Sequence, residues 1–283
     1  MNKHSASLIM TIITLFWGSS YLFMKQSLNS MDVFCIISLR FITAFVITFP
    51  ILICIRKKIT PTAVFHSLNF GLLLILVFVF ILEGLRTTTS TSASFLVSLT
   101  VIFVPLLTML SKQSKPKPAM FVTCSIALIG VAILTLSDSF GLSKGDIFCV
   151  LGSFFYALHI LYGRHAVKDS DPLAVGIMQV GFAGFISLLF SLKLGSFHLP
   201  QTPAAWGDIL ALGILCSAFG FVLQPVTQKY ISPVSTGLIF SLEPVFASVF
   251  SILIEHTFLP VHCYFGALLI FLSVIANGVF LKN

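Results

Sequence analysis

The chain has 283 residues, of which 57% are hydrophobic and only 9% charged. Soluble domains carry about 25% charged residues, so this chain lacks the polar groups to cover a water-facing surface, and its solvent is the lipid bilayer. The formal net charge of +7 does not indicate nucleic acid, because no basic run is long enough for a binding patch and the basic residues follow the loops between apolar runs.

Apolar runs long enough to cross a ~30 Å hydrocarbon core are predicted at 7–25, 33–55, 63–82, 88–110 and 119–137, and again at 146–163, 173–192, 205–224, 233–254 and 262–281, ten in all. They are continuous rather than alternating, so they read as helices and not as barrel strands. The first run ends in "YLFMKQSLNSMD" with no small-residue cleavage site after it, and is expected to be retained. The loops are short. Eleven Lys and Arg residues, among them Lys3, Arg56, Lys57 and Lys58, fall at the two ends and in the even-numbered loops. Four, Lys25, Arg86, Lys144 and Lys193, fall on the other side. That bias predicts both termini in the cytoplasm. The six cysteines lie in or near the runs without a C-x-x-C pair, and read as small buried hydrophobes.

The break "SDSFGLSKGD" (137–146) divides the chain into 1–138 and 139–283, with five predicted helices in each. At an offset of 139 residues Phe155 falls on Phe16, Tyr156 on Trp17 and Gln179 on Arg40. Further on the offset becomes 143, which sets Ser241-Leu242 on Ser98-Leu99, Lys229 on Arg86 and Glu243 on Thr100. An odd number of spans per half reverses the second half. The predicted fold class is therefore an all-α integral membrane protein of ten transmembrane helices in two inverted five-helix repeats. In inverted-repeat transporters the substrate site lies near the midplane at the repeat interface.

The polar residues inside these spans are few. In "FSLEPVFASVF" (240–250), Glu243 lies roughly 16 Å into its span, near the middle of a ~30 Å core. A charge at a helix centre costs ~2.5–3.5 kcal/mol on insertion scales. Glu243 is thus expected to face a cavity or a partner. There it titrates a proton, binds a substrate amine, or accepts hydrogen bonds from neighbouring hydroxyls and backbone N–H groups. Pro244 has no N–H and frees the carbonyl of Phe240, which makes it a hinge or a static kink. Arg40 lies roughly 10 Å below the opposite edge. It is expected to pair with Glu243, to share a substrate's carboxylate and amine with it, or to snorkel to the interface.

Trp17 and Ser20, beside Gly18 and Ser19, form either a pocket wall or a close helix contact. Tyr156, His159 and Gln179 hold the corresponding places in the second half. They are expected at the substrate site, with structural hydrogen bonding as the alternative for His159 and Gln179. The hydroxyl-rich "RTTTSTSAS" (86–94) reads as a close helix contact or as a substrate vestibule. Glu255, His256 and His262 are not expected to form a metal site, since Pro260 and a turn intervene. No metal or other cofactor is expected. The phosphate-loop motif of ATPases is absent, so transport energy would come from a gradient or a partner subunit.

"FWGSSYLFMK" (16–25), "SLRFITAF" (38–45), "TSTSASFLVSLTVIFVPLL" (89–107), "YISPVSTGLIFSLEPVFASVF" (230–250) and "FGALLIFLSVIANG" (265–278) resemble the matching helices of the drug/metabolite transporter superfamily, EamA type. The resemblance implies ten transmembrane helices, alternating access, and export or exchange of small polar metabolites such as amino acids, in the bacterial cytoplasmic (plasma) membrane. The fourth helix of such proteins often reads Thr-Pro where this chain has Thr100-Val101, so a proline kink is expected in the ninth helix alone. The expected partners are a small-molecule substrate and the lipid bilayer, with no nucleic acid. One alternative is a carrier exchanging or taking up a larger nucleotide-like metabolite. Another is an integral-membrane enzyme or channel. An enzyme is disfavoured because most of the nine acidic residues are scattered singly over loops.

Overall fold

The structure, a computed structural model, describes residues 1–111, 118–135, 143–255 and 260–280. A helix occupies each predicted span: α1 (Lys3–Ser27), α2 (Val33–Cys54), α3 (Pro61–Leu85), α4 (Ser90–Leu110), α5 (Pro118–Thr135), α6 (Lys144–Ala166), α7 (Pro172–Lys193), α8 (Pro203–Gln228), α9 (Pro233–Ile254) and α10 (Val261–Phe280). Among the described residues there is no strand. All of these helices except α5 and α10 are long and apolar enough to cross a membrane, eight in total among the described residues. His256, Lys112, Lys115, Lys117, Lys282 and the boundary between residues 138 and 139 lie outside the described residues.

Several helices begin earlier than the apolar runs predict, and cap chemistry is the reason. Thr60 and Thr202 each precede a proline and accept a hydrogen bond from the backbone N–H three residues on, as does Ser232 at the start of α9, which begins where predicted. Proline at the first helical position gives up an N–H that has no partner there in any case, and its fixed φ suits the turn. Asp171 caps α7 before Pro172 by accepting from the N–H groups of Leu173 and Ala174, and it also accepts from Lys58 Nζ at 2.9 Å. Partial burial alone would push this carboxyl up. The Lys58 ammonium and the two N–H groups outweigh that and hold it below its ordinary value.

The surface is apolar where a bilayer would meet it. Leu110, Leu189, Val261 and Phe265 are exposed, while Arg40, His159, Gln179, Gln224 and Glu243 are buried. This reverses the partition of a soluble domain.

Packing pairs relate the two halves. α2 packs on α7, α4 on α9 and α5 on α10. The contact of α1 with α8 has its counterpart in α6 with α3, that of α2 with α8 in α7 with α3, and that of α1 with α9 in α6 with α4. Glycine permits the closest of these approaches. A Cβ at Gly18 would meet the backbone of α9 at Phe246 and Ala247, and one at Gly220 would meet the Trp17 indole.

Two helices are interrupted at matching places. α4 breaks at Ser98–Leu99 and α9 at Ser241–Leu242. The hydrogen bonds match residue for residue. Ser98 N donates to the carbonyls of Ser94 and Phe95 and Leu99 N to that of Leu96, while Ser241 N donates to Gly237 and Leu238 and Leu242 N to Ile239. The break in α4 corrects the expectation that the ninth helix alone would kink. No proline is needed, because the Ser94, Ser98 and Thr100 hydroxyls all bond to backbone carbonyls of the preceding turn. Such bonds bend helices.

Candidate functional site

α1 supplies the first wall of the site. Trp17, Ser20, Tyr21 and Met24 lie at i, i+3, i+4 and i+7, and so share one face. They line an interior cavity with Val77, Phe78 and Ile81 of α3, Tyr156 of α6, Phe221 of α8 and Glu243 of α9. The cavity is therefore walled by both halves. It is narrow: about 10 Å³ is open to the centre of a water molecule, roughly what one water needs.

Glu243 begins the second segment of α9, immediately after the break. It is 3% exposed. Tyr21 Oη donates to its Oε2 at 2.9 Å, and a helix N-terminus favours a negative group. Oε1 is buried without a partner. Pro244 follows at the second position of that segment, where a missing N–H is tolerated.

The aromatic wall is continuous. The Trp17 indole stacks on Phe221 with centroids 4.6 Å apart and meets Phe240 edge-on at 4.9 Å, and Tyr156 stacks on Phe240 at 5.2 Å. Ser20 Oγ is spent on the carbonyl of Trp17 at 2.7 Å.

Arg40 is fully buried and does not snorkel. It forms no ion pair with Glu243. Its Nε donates to Ser217 Oγ at 3.1 Å and Nη1 to Met24 Sδ at 3.4 Å, while its guanidinium lies 4.1 Å from the Phe78 ring centroid and 5.0 Å from that of Phe41. His159 and Gln179 also stand apart from the cavity lining. His159 Nε2 meets Gln179 Oε1 at 3.2 Å, its ring stacks on Phe70 at 3.9 Å, and Nδ1 has no partner.

The stretch Leu212–Phe221 of α8, wound as a π-helix, gathers these residues. Trp17 Nε1 donates to the carbonyl of Cys216 at 2.8 Å, Arg40 to the Ser217 hydroxyl, and Gln179 Nε2 to the carbonyl of Phe221 at 2.6 Å. The last bond has a cause in the sequence. Pro225 has no N–H for the carbonyl four residues before it, which is that of Phe221. Wide turns of this kind recur at functional sites.

Of the predicted site residues, the cavity thus collects Trp17, Ser20, Tyr156 and Glu243, and leaves Arg40, His159 and Gln179 behind its wall. Tyr21, Met24, Phe78 and Phe221 were not foreseen. The hydroxyl-rich segment at the start of α4 borders an open hollow of about 420 Å³, lined by residues 87–91 with Lys25 and Arg86. In the same region Gly84 and Gly145 bring α3 and α6 into backbone contact.

The EamA-like transporter family model matches residues 4–136 and again residues 143–278. The chain belongs to that family. An uncharacterized transporter of Archaeoglobus fulgidus is 29% identical to this EamA protein over 273 residues, covering 95% of the chain and 84% of the relative. The uncharacterized transporter YyaM of Bacillus subtilis is 26% identical over 207 residues, covering 69% and 67%. A solved crystal structure shares the fold with a TM-score of 0.80 at 16% identity, covering 98% of this chain and 97% of that one. The EamA protein is a multi-pass membrane transporter, in bacteria of the cytoplasmic membrane.

Proposed function

We propose that this EamA protein is a secondary-active carrier that exports or exchanges a small polar metabolite by alternating access. Ten spans, with both termini cytoplasmic, form two inverted five-helix halves that move about a site between them. Pro244 and the break before it act as the hinge. Glu243 contacts the proton or the substrate, and Trp17, Ser20 and Tyr156 wall the site. Arg40, His159 and Gln179 act from behind the wall by holding the α8 segment in place.

One observation carries the reading: a buried carboxyl oxygen without a partner, Glu243 Oε1, at a narrow cavity lined from both halves. A buried carboxyl oxygen left unpaired is costly to keep unless something else binds it. The matched breaks in α4 and α9 add a place where each half can bend.

Counterflow tests the proposal. Proteoliposomes loaded with an unlabelled metabolite pool are given traces of labelled amino acids, amines, nucleosides and sugars. A carrier accumulates its substrate transiently above equilibrium, and Glu243→Gln abolishes or changes the pH dependence of that flux. Flux that neither saturates nor shows exchange indicates a channel instead.

A further inference from the structure

We propose that the group this cavity binds is an organic monocation, a protonated amine on an aromatic or alkyl body, and that a substrate carboxylate is neither needed nor matched. The proposal rests on the carrier reading above and names its substrate class.

Glu243 is the one charged residue among those lining the cavity, and one of its oxygens is already committed to Tyr21. The other oxygen accepts no hydrogen bond. Around it stand the faces and edges of Trp17, Tyr21, Phe78, Tyr156 and Phe221. Aromatic faces attract ammonium groups, most strongly where water is excluded, and tolerate apolar bodies equally well. A carboxylate combined with an aromatic box matches a cation at both ends of that description.

A zwitterion would need donors for its carboxylate, and the wall has few to give. The Trp17 N–H goes to Cys216, the Ser20 hydroxyl to Trp17 and the Tyr21 hydroxyl to Glu243, which leaves the Tyr156 hydroxyl as the uncommitted donor of the wall. Arg40, the obvious anion partner, is screened. Two of the groups packed on its guanidinium, Met24 and Phe78, are themselves cavity wall. The guanidinium lies behind the lining, with its Nη2 unpaired, and Arg40 is not itself among the residues that face the cavity. The guest enters as α1 and α9 part, and Met24, a flexible side chain, yields room.

Trp17 reports occupancy directly. The chain has two tryptophans, and the other, Trp206, lies partly exposed near the start of α8. A Trp206→Phe protein in nanodiscs therefore carries a single reporter in the cavity wall. Its emission is titrated at pH 7 with phenylethylamine, phenylalanine and phenylethanol, which share one ring and differ in charge. Phenylethylamine should change the emission saturably, with a half-saturation at least about tenfold below either of the others. Phenylalanine binding as tightly or more tightly overturns the proposal, and so does a Trp17 signal that none of the three moves. In the same background Arg40→Met should not weaken phenylethylamine, and weakening would place the guanidinium on the guest. Counterflow separates the two levels of inference. Accumulation of a zwitterion that phenylethylamine does not compete with removes the amine assignment and leaves the carrier. Absence of counterflow for every solute removes the carrier reading itself.

Discussion

Glu243 survives at the centre of the protein because a hydroxyl and a helix end meet it there. The Tyr21 hydroxyl is the specific part of that arrangement, and hydrogen bonds to charged groups contribute ~1.5–3 kcal/mol. Tyr21→Phe should therefore lower stability by about that amount in denaturant unfolding from detergent micelles. In a Glu243→Gln background the same change should matter less, about 0.5–1.5 kcal/mol, because the acceptor is then neutral. Equal losses in both backgrounds would mean that the carboxylate is not what Tyr21 serves. Glu243 was legible in the sequence as a lone charge at mid-span, and Trp17 and Tyr156 as repeat mates. Tyr21 and Met24 were missed although they continue the helix face of Trp17 and Ser20. Phe78 and Phe221 carried no signal, since thirty phenylalanines make any one of them ordinary. The depth of Arg40 was readable. Its partners were not, because they come from three other helices, Ser217 from 177 residues away in sequence.

At the scale of the element, α8 decides how the site is held. Pro225 releases the carbonyl of Phe221 and Gln179 takes it up. Gln179→Leu then leaves that buried carbonyl without a donor, at a cost of about 1–3 kcal/mol. Adding Pro225→Ala restores an N–H four residues on, and the double variant should recover most of the loss. Additive effects of the two substitutions in unfolding experiments would show that the carbonyl is satisfied elsewhere. The ten predicted spans each coincide with a helix, because continuous apolar runs are a strong signal for long helices. The starts were less visible. Thr60-Pro61, Asp171-Pro172 and Thr202-Pro203 mark them by capping, which an apolar window does not register. The break in α4 was missed for a related reason. Proline is a conspicuous breaker, whereas hydroxyls bonded to their own backbone leave only a run of Ser and Thr.

Across the whole molecule, the packing of the first half recurs in the second with partners exchanged. α1 meets α8 as α6 meets α3, and α2 and α7 meet each other as mates. Such an exchange is what a two-fold relation between five-helix units produces. The inverted arrangement makes a sharper demand, that mates lie on opposite sides of the membrane. Lys57, between α2 and α3, and Lys193, at the end of α7 before α8, occupy mate loops, and both are exposed. Each is replaced by cysteine in a chain whose exposed Cys54 has become serine. An impermeant maleimide added to intact cells should reach Lys193→Cys, and should reach Lys57→Cys only after permeabilisation. The charge bias predicts the Arg56–Lys58 cluster on the cytoplasmic side, since basic residues near short loops tend to stay there. Labelling of both from one side would make the repeats parallel. The cavity between them would then lose its means of opening to each side in turn, because alternating access by two halves requires that each present the same fold to opposite faces of the bilayer.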